Sequence, residues 1–341
     1  MSLLPYLHRT VAREDLSSHE ARLAMLAILN GDASSAQVAS FLVALKMKGE
    51  TAAELAGFAQ AMREKAEPVK VTPDGKPLVD TCGTGGDGSS TFNISTVAAF
   101  VTAGAGVRVA KHGNRSISGR CGSADLLEAL GVPVAPDAAR MARAIETAGI
   151  GFLYAPLLNP AMRHAQPARL ELKMRTVFNL LGPLTNPAGA SHQLIGAPSL
   201  AAARLMAEAL AGLGTVRTFV VHGSDGLDEI TTTGSTAIFE VHGGLVTEHV
   251  WTPEDFGIRR AGLGDLLGGE PPLNREIAEK ILNGERGPAR DIVVVNSAAA
   301  LFVAGAARNL RQGVQLAVAS IDSGAALAKL NQLRQLSAAP C

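Results

Sequence analysis

Through the first 67 positions apolar residues recur at helical spacing, and nowhere in that stretch do they alternate as a half-buried strand would. Ser17 or Ser18 stands ahead of Leu23, Leu26 and Leu29 in a run that stops at Gly31, the layout of a capped helix. Ser34 or Ser35 precedes Val38, Phe41, Leu42 and Leu45, and Thr51 with Glu54 makes a capping-box pair before Leu55, Phe58 and Met62. No strand signal appears before Pro68. From Leu78 the pattern changes to short apolar runs separated by helix-length segments: Leu78 to Thr81, Val107 to Ala110, Val132 to Ala135, Gly151 to Tyr154 and Thr218 to Val221. That alternation predicts βαβ units and a mostly parallel sheet covered by helices, with functional loops at the carboxyl ends of the strands. Further on, Ala237 to Val241 and Leu245 to Val250 flank Gly243 and Gly244, which predicts a hairpin.

A chain of 341 residues can bury a large core and divides most naturally into one large domain and a smaller one. The 47% hydrophobic and 18% charged residues describe a globular chain. Lys+Arg 31 balances Asp+Glu 31, so no general attraction to nucleic acid or an anionic membrane is expected, and any anion site must be local. Cys82, Cys121 and Cys341 form no CxxC pair, which speaks against a disulfide framework or a zinc site and for a reducing compartment, the cytoplasm by default. Arg9, Arg13, Glu14 and Asp15 break any signal-peptide pattern at the start. The most apolar stretch, Ile292 to Ala307, holds Asn296 and Ser297 and is shorter than the roughly 20 residues of a membrane span, so it reads as buried core.

Candidate chemistry concentrates after the first strand. The stretch from Thr91 to Ala124 has no Asp or Glu, carries Arg108, Lys111, Arg115 and Arg120, and follows the run GTGGDG. Gly83, Gly85 and Gly88 match GxGxxG, yet the acidic residue a dinucleotide fold places about 20 positions on is replaced by Val107, Arg108 and Val109. Gly83 and Gly88 also fit the outer glycines of a Walker A loop, but Ser89 stands where its lysine is required. What remains is a loop rich in glycine, hydroxyl and amide groups, running through Thr96 into a helical segment, Val97 to Ala103. Such a loop holds a phosphate when backbone amides converge and is a plain capped turn when they do not.

Lys111 to Ser116 follow the strand Val107 to Ala110 and place a cation, an imidazole, an amide and a guanidinium in one expected strand-end loop. Each such group needs a partner once partly buried, which favours function over decoration. Asp228 and Glu229 follow the strand Thr218 to Val221; paired carboxylates beside a phosphate site suit Mg2+, whereas alone they would read as a solvated turn. Arg163, His164, Arg169, Lys173 and Arg175 crowd one stretch, which by itself reads as a solvated basic face.

Taken in order, GTGGDG, FNIST, KHGNRS, GSADLLEALG, RTVFNLLGPLTNP and GLDEIT resemble the anthranilate phosphoribosyltransferase family along nearly the whole chain. The resemblance implies an α/β fold of the nucleoside phosphorylase/phosphoribosyltransferase type. A small all-helical domain, residues 1–70 joined by helices from about 160–182, would precede a large α/β domain with a mostly parallel sheet, residues 75–341. It implies a homodimer, a Mg2+ cofactor and a step of tryptophan biosynthesis. Carried over by residue, phosphoribosyl pyrophosphate falls to Gly83, Gly86, Asp87, Thr91, Asn93, Ile94, Ser95, Thr96, Lys111, His112, Gly113, Asn114, Arg115, Ser116, Ile117, Ser118, Gly119 and Ser123. The metal falls to Ser95, Asp228 and Glu229, and anthranilate to Gly83, Asn114 and Arg169; Lys111, Asp228 and Glu229 are the candidate catalytic residues.

Three positions depart from the family pattern: Asn159 replaces a common His, and Gly119 and Cys121 replace serines, removing two hydroxyls but no charged ligand. The alternatives are a pyrimidine-nucleoside phosphorylase-like enzyme and a non-catalytic nucleic-acid-binding relative of the fold. KHGNRS and GLDE fit the first less well than the transferase, and balanced charge with an intact Asp228/Glu229 pair speaks against the second.

Overall fold

Hydroxyl caps start the N-terminal helices. A computed structural model, which describes residues 1–116 and 119–338, shows α1 (Leu4–Val11), α2 (Ser18–Leu29), α3 (Ser35–Lys48) and α4 (Ala52–Lys65). Ser17, Ser34 and Thr51 close capping boxes with Glu20, Gln37 and Glu54. The sequence pattern marks the last three of these helices and not α1, whose short span carries Leu7 into the core.

The remainder runs β1 (Leu78–Gly83), α5 (Ile94–Gly104), β2 (Arg108–Gly113), α6 (Ser123–Ala129), α7 (Ala138–Ala148) and β3 (Ile150–Tyr154). It continues through α8 (Ala155–Leu158), α9 (Gln166–Leu172), α10 (Phe178–Leu181), β4 (His192–Gly196), α11 (Leu200–Gly212), β5 (Arg217–Gly223), β6 (Thr236–His242) and β7 (Leu245–Trp251). It ends with α12 (Pro253–Phe256), α13 (Pro271–Leu282), α14 (Pro288–Val303), α15 (Leu310–Asp322) and α16 (Ala325–Ala338). The strands form one sheet in the order β3-β2-β1-β4-β5-β6-β7. The strands from β3 across to β5 are parallel, and β6 and β7 add antiparallel. The β6–β7 hairpin turns on Gly243 (φ 58) and Gly244 (φ 77), both in the left-handed region such two-residue turns require.

Side chains alternate across the sheet. Phe219 and Val221 of β5 enter one apolar cluster with α5, α14, α15 and α16, while Val220 between them enters another with the N-terminal helices and α11. The second cluster also holds Ala168, Phe178 and Leu181 of α9 and α10, so these late helices share a core with α1 to α4. The apolar stretch after Pro288 is α14, buried along most of its length, and among the described residues no helix is long and apolar enough to cross a membrane.

Two strand expectations change, and one strand is unexpected. Val132 to Ala135 forms no strand: Pro133 and Pro136 cannot donate to a ladder, and the stretch merely leads from α6 to α7. β4 carries only two strongly apolar residues, Leu194 and Ile195, and gives no clear sequence signal, yet it lies at the sheet's centre with Gln193 buried and its Nε2 donating to the Pro183 carbonyl at 2.8 Å. β2 continues past Ala110 to Gly113, so Lys111, His112 and Gly113 belong to the strand rather than to the expected loop; they pair with Phe152, Leu153 and Tyr154 of β3.

Candidate active site

In strand order 3-2-1-4-5 the chain's winding reverses between β1 and β4, and in open parallel sheets ligands bind beyond the carboxyl ends of strands at such a reversal. A pocket of about 550 Å3 opens there. Its walls include Gly83, Gly86, Asp87, Thr91, Asn93, Ile94, Ser95, Thr96, Lys111, His112, Gly113, Asn114, Arg115, Ser116, Gly119, Ser123, Arg169, Asp228 and Glu229. Every described residue of the sequence-derived set thus faces one cavity; Ile117 and Ser118 lie outside the described residues.

The two carboxylates arrive from the segment after β5 and settle against backbone. An Asp228 oxygen accepts the Gly85 N–H at 2.8 Å, and Glu229 accepts the Ser95 N–H in the first turn of α5 at 3.1 Å. Close approach requires glycine at two strand ends: a Cβ on Gly196 of β4 would overlap the Asp228 carbonyl oxygen, and one on Gly83 would lie 2.5 Å from its carboxylate. Burial pushes the Asp228 carboxyl up to about 6, with Asp87 adding repulsion, and pushes Glu229 up to about 8, with Asp228 adding to it. Neither acid has an ion pair at salt-bridge distance among the described residues, nor do three His, Cys, Asp or Glu side chains there form a complete metal site. Two buried, poorly compensated hard oxygen groups fit a divalent cation that takes its other ligands from a bound phosphate.

Lys111, 4% exposed, donates to the Thr81 carbonyl and lies 3.4 Å from the Ser95 hydroxyl. His112 is held from behind: its N–H donates to Asp80 at 3.0 Å, and Asp80 in turn receives the Asn186 amide at 2.8 Å. Its Nδ1 meets the Gly182 carbonyl at 3.0 Å, so Nδ1 carries the proton and buried Nε2 is left as an acceptor without a partner. Burial lowers the pKa of this imidazole, consistent with a neutral ring.

The loop after β2 hangs on one acid of α6. Asp125 accepts the N–H groups of Ser116 at 3.0 Å and Gly122 at 2.8 Å. The Arg115 guanidinium turns to Asp125 and Glu128, so its charge is already answered within the protein. Gly119 donates its N–H to the Ser116 hydroxyl at 2.7 Å, and burial pushes the Cys121 thiol up to about 11, which disfavours the thiolate at neutral pH. Asn159 is buried but absent from the pocket walls.

Asn93 is engaged by the protein itself. Its amide donates to the Cys121 carbonyl at 2.9 Å and its oxygen accepts from Asn274 of α13 at 3.0 Å, tying the glycine loop to a helix far away in sequence. Sequence reading misses Asn274, because a single Asn in a helical run carries no signal. It also reads Arg175 only as part of a solvated basic face, whereas this residue lines the pocket from the segment between α9 and α10. Arg169 lies 5.1 Å from the centre of the Phe178 ring.

Comparison with known proteins agrees with this arrangement. Residues 4–66 match the glycosyl transferase family helical bundle domain and residues 75–327 the a/b domain of that family. The chain is 60% identical over 338 residues to an anthranilate phosphoribosyltransferase of Solibacter usitatus, covering 99% of each, and 53% identical to one of Moorella thermoacetica, covering 96% of each. Among solved structures it is similar to that enzyme from Thermus thermophilus, with a TM-score of 0.92 and 44% identity over 98% of this chain and 99% of that one. The Saccharomyces cerevisiae enzyme in complex with PRPP and Mg gives 0.90 and 29% over 98% and 97%.

Proposed function

The chain belongs to the anthranilate phosphoribosyltransferase family, and from that membership we infer that it transfers the 5-phosphoribosyl group of phosphoribosyl pyrophosphate to the amine of anthranilate, releasing pyrophosphate, in tryptophan biosynthesis. The observation that carries the assignment to this pocket is the convergence of Asp228 and Glu229, both held above their ordinary pKa, on the glycine loop and Lys111 at the sheet's reversal point.

In this reading the arylamine nitrogen attacks the anomeric carbon as the bond to the pyrophosphate oxygen breaks, and the nitrogen then gives up a proton. An arylamine is neutral at pH 7, so no strong base is needed; the protein must position two reactants and answer charge on the leaving group. The backbone of Gly83 to Gly88, the first turn of α5 and the buried ammonium of Lys111 meet the developing negative charge. Asn114 and Arg169, with Gly83, hold the acceptor's carboxylate. Asp228 and Glu229, with the Ser95 hydroxyl, would hold Mg2+, which when bound draws charge from the leaving pyrophosphate and orients it. The family reading carries a homodimer as well, which sedimentation of the purified protein checks.

The decisive experiment follows anthranilate fluorescence when the protein meets phosphoribosyl pyrophosphate with and without Mg2+. Metal-dependent loss of fluorescence is expected. A folded protein that binds phosphoribosyl pyrophosphate and leaves anthranilate unchanged would overturn the acceptor.

A further inference from the structure

The segment between α9 and α10 brings a further guanidinium into the pocket. Arg175 lines the cavity and is half-buried, and its Nη2 is buried with no hydrogen-bond partner. Its Nη1 lies against the glycine loop so closely that a Cβ on Gly86 would overlap it. The pocket's other cations are accounted for differently. Arg115 is paired with Asp125 and Glu128, Arg120 is exposed, Lys111 donates to the Thr81 carbonyl, and Arg169 lies over the Phe178 ring. A buried donor on a permanently charged group is costly when left unmatched, and planar guanidinium matches a carboxylate or phosphate with two parallel donors.

We propose that Arg175 is a substrate-binding residue whose incompletely matched guanidinium turns to receive an oxyanion brought into the pocket, and that Gly86 lacks a side chain so that this guanidinium can lie across the loop. The chemistry is shared by two sources, the diphosphate of the phosphoribosyl donor and the carboxylate of the acceptor. The inference rests on the transferase reading of the pocket.

The test titrates wild type, Arg175→Lys and Arg175→Gln separately with inorganic pyrophosphate plus Mg2+ and with anthranilate, and records thermal unfolding of each protein without ligand. Unfolding of the free variants is expected to match wild type or to rise, because the unmatched donor is removed. Affinity for one of the two anions is expected to fall tenfold or more in Arg175→Gln, with partial recovery in Arg175→Lys, which keeps the charge and loses the fork. A fall for pyrophosphate assigns the diphosphate, and a fall for anthranilate assigns the carboxylate. Affinities for both within twofold of wild type in folded Arg175→Gln overturn the proposal; if that variant fails to fold, the same limit applied to Arg175→Lys decides it. Wild type that binds pyrophosphate but not anthranilate overturns the acceptor assignment while the pyrophosphate titration still decides Arg175.

Discussion

At Asp228 the burial that would suit a cation works against the free protein. Its carboxyl is held at about 6, above the ordinary 3.8, so the folded state keeps the proton longer than the unfolded chain does. That contribution to stability is complete below about pH 4 and is lost as pH rises towards 6, after which the folded state carries an ionised group it solvates poorly. Asp228→Asn removes the penalty. Without metal the variant is expected to melt at or above the wild-type temperature at pH 7.5, with the difference shrinking as pH is lowered to 4, as calorimetric scans across that range would show. Turnover in the same variant is expected to fall by about a hundredfold or more, the scale at which a preorganised charge-stabilising group acts; activity near wild type at saturating Mg2+ would refute the role. Since the atom a Cβ on Gly196 would strike is the backbone oxygen of Asp228, rotamer change cannot relieve it, and Gly196→Ala is expected to destabilise by about 1–3 kcal/mol in urea unfolding and to depress kcat as the carboxylate is displaced.

Among the elements, the start of α5 depends on a distant support. Thr91 bridges Leu267, Gly268 donates to the Ser90 carbonyl at 2.9 Å, and Asn274 fixes Asn93, so the stretch after β7 holds the glycine loop and the helix start in register. Asn274→Ala removes the side chain that also accepts the Gly269 N–H at 2.7 Å. Steady-state kinetics are expected to show KM for phosphoribosyl pyrophosphate rising about tenfold, one to two hydrogen bonds' worth, with KM for anthranilate nearly unchanged. A rise confined to anthranilate would contradict this support. Capped helices and β-rich runs such as Thr218 to Val221 announce themselves through local residues, whereas β4 is a strand because its neighbours demand one between β1 and β5. Val132 to Ala135 misleads in the opposite sense, its apolar side chains being core contacts of a proline-broken connection.

For the molecule as a whole, the pocket joins parts with separate apolar cores. The glycine loop leads into α5 in one cluster, while Ala168, Phe178 and Leu181, flanking Arg169 and Arg175, pack into the cluster that contains the N-terminal helices. Motif order brought out about half of the residues that line these walls, because the chemistry the resemblance implies restricts residue type locally. It could not place Asn274 or the unmatched Arg175, whose importance depends on what the folded chain sets beside them. A ligand that bridges the walls engages both cores and is bound by the folded state alone, so mass action transfers its binding energy to global stability, about 2.7 kcal/mol at a hundred times Kd. Phosphoribosyl pyrophosphate with Mg2+ is therefore expected to raise the melting temperature of the full chain in one cooperative transition, dependent on ligand concentration. With Asp228→Asn the shift is expected to shrink most when Mg2+ is present and little in its absence, as the proposed cation site at this carboxylate requires. Two transitions, only one of which moves with ligand, would show that the helical part and the sheet respond as separate units and that the pocket does not couple them.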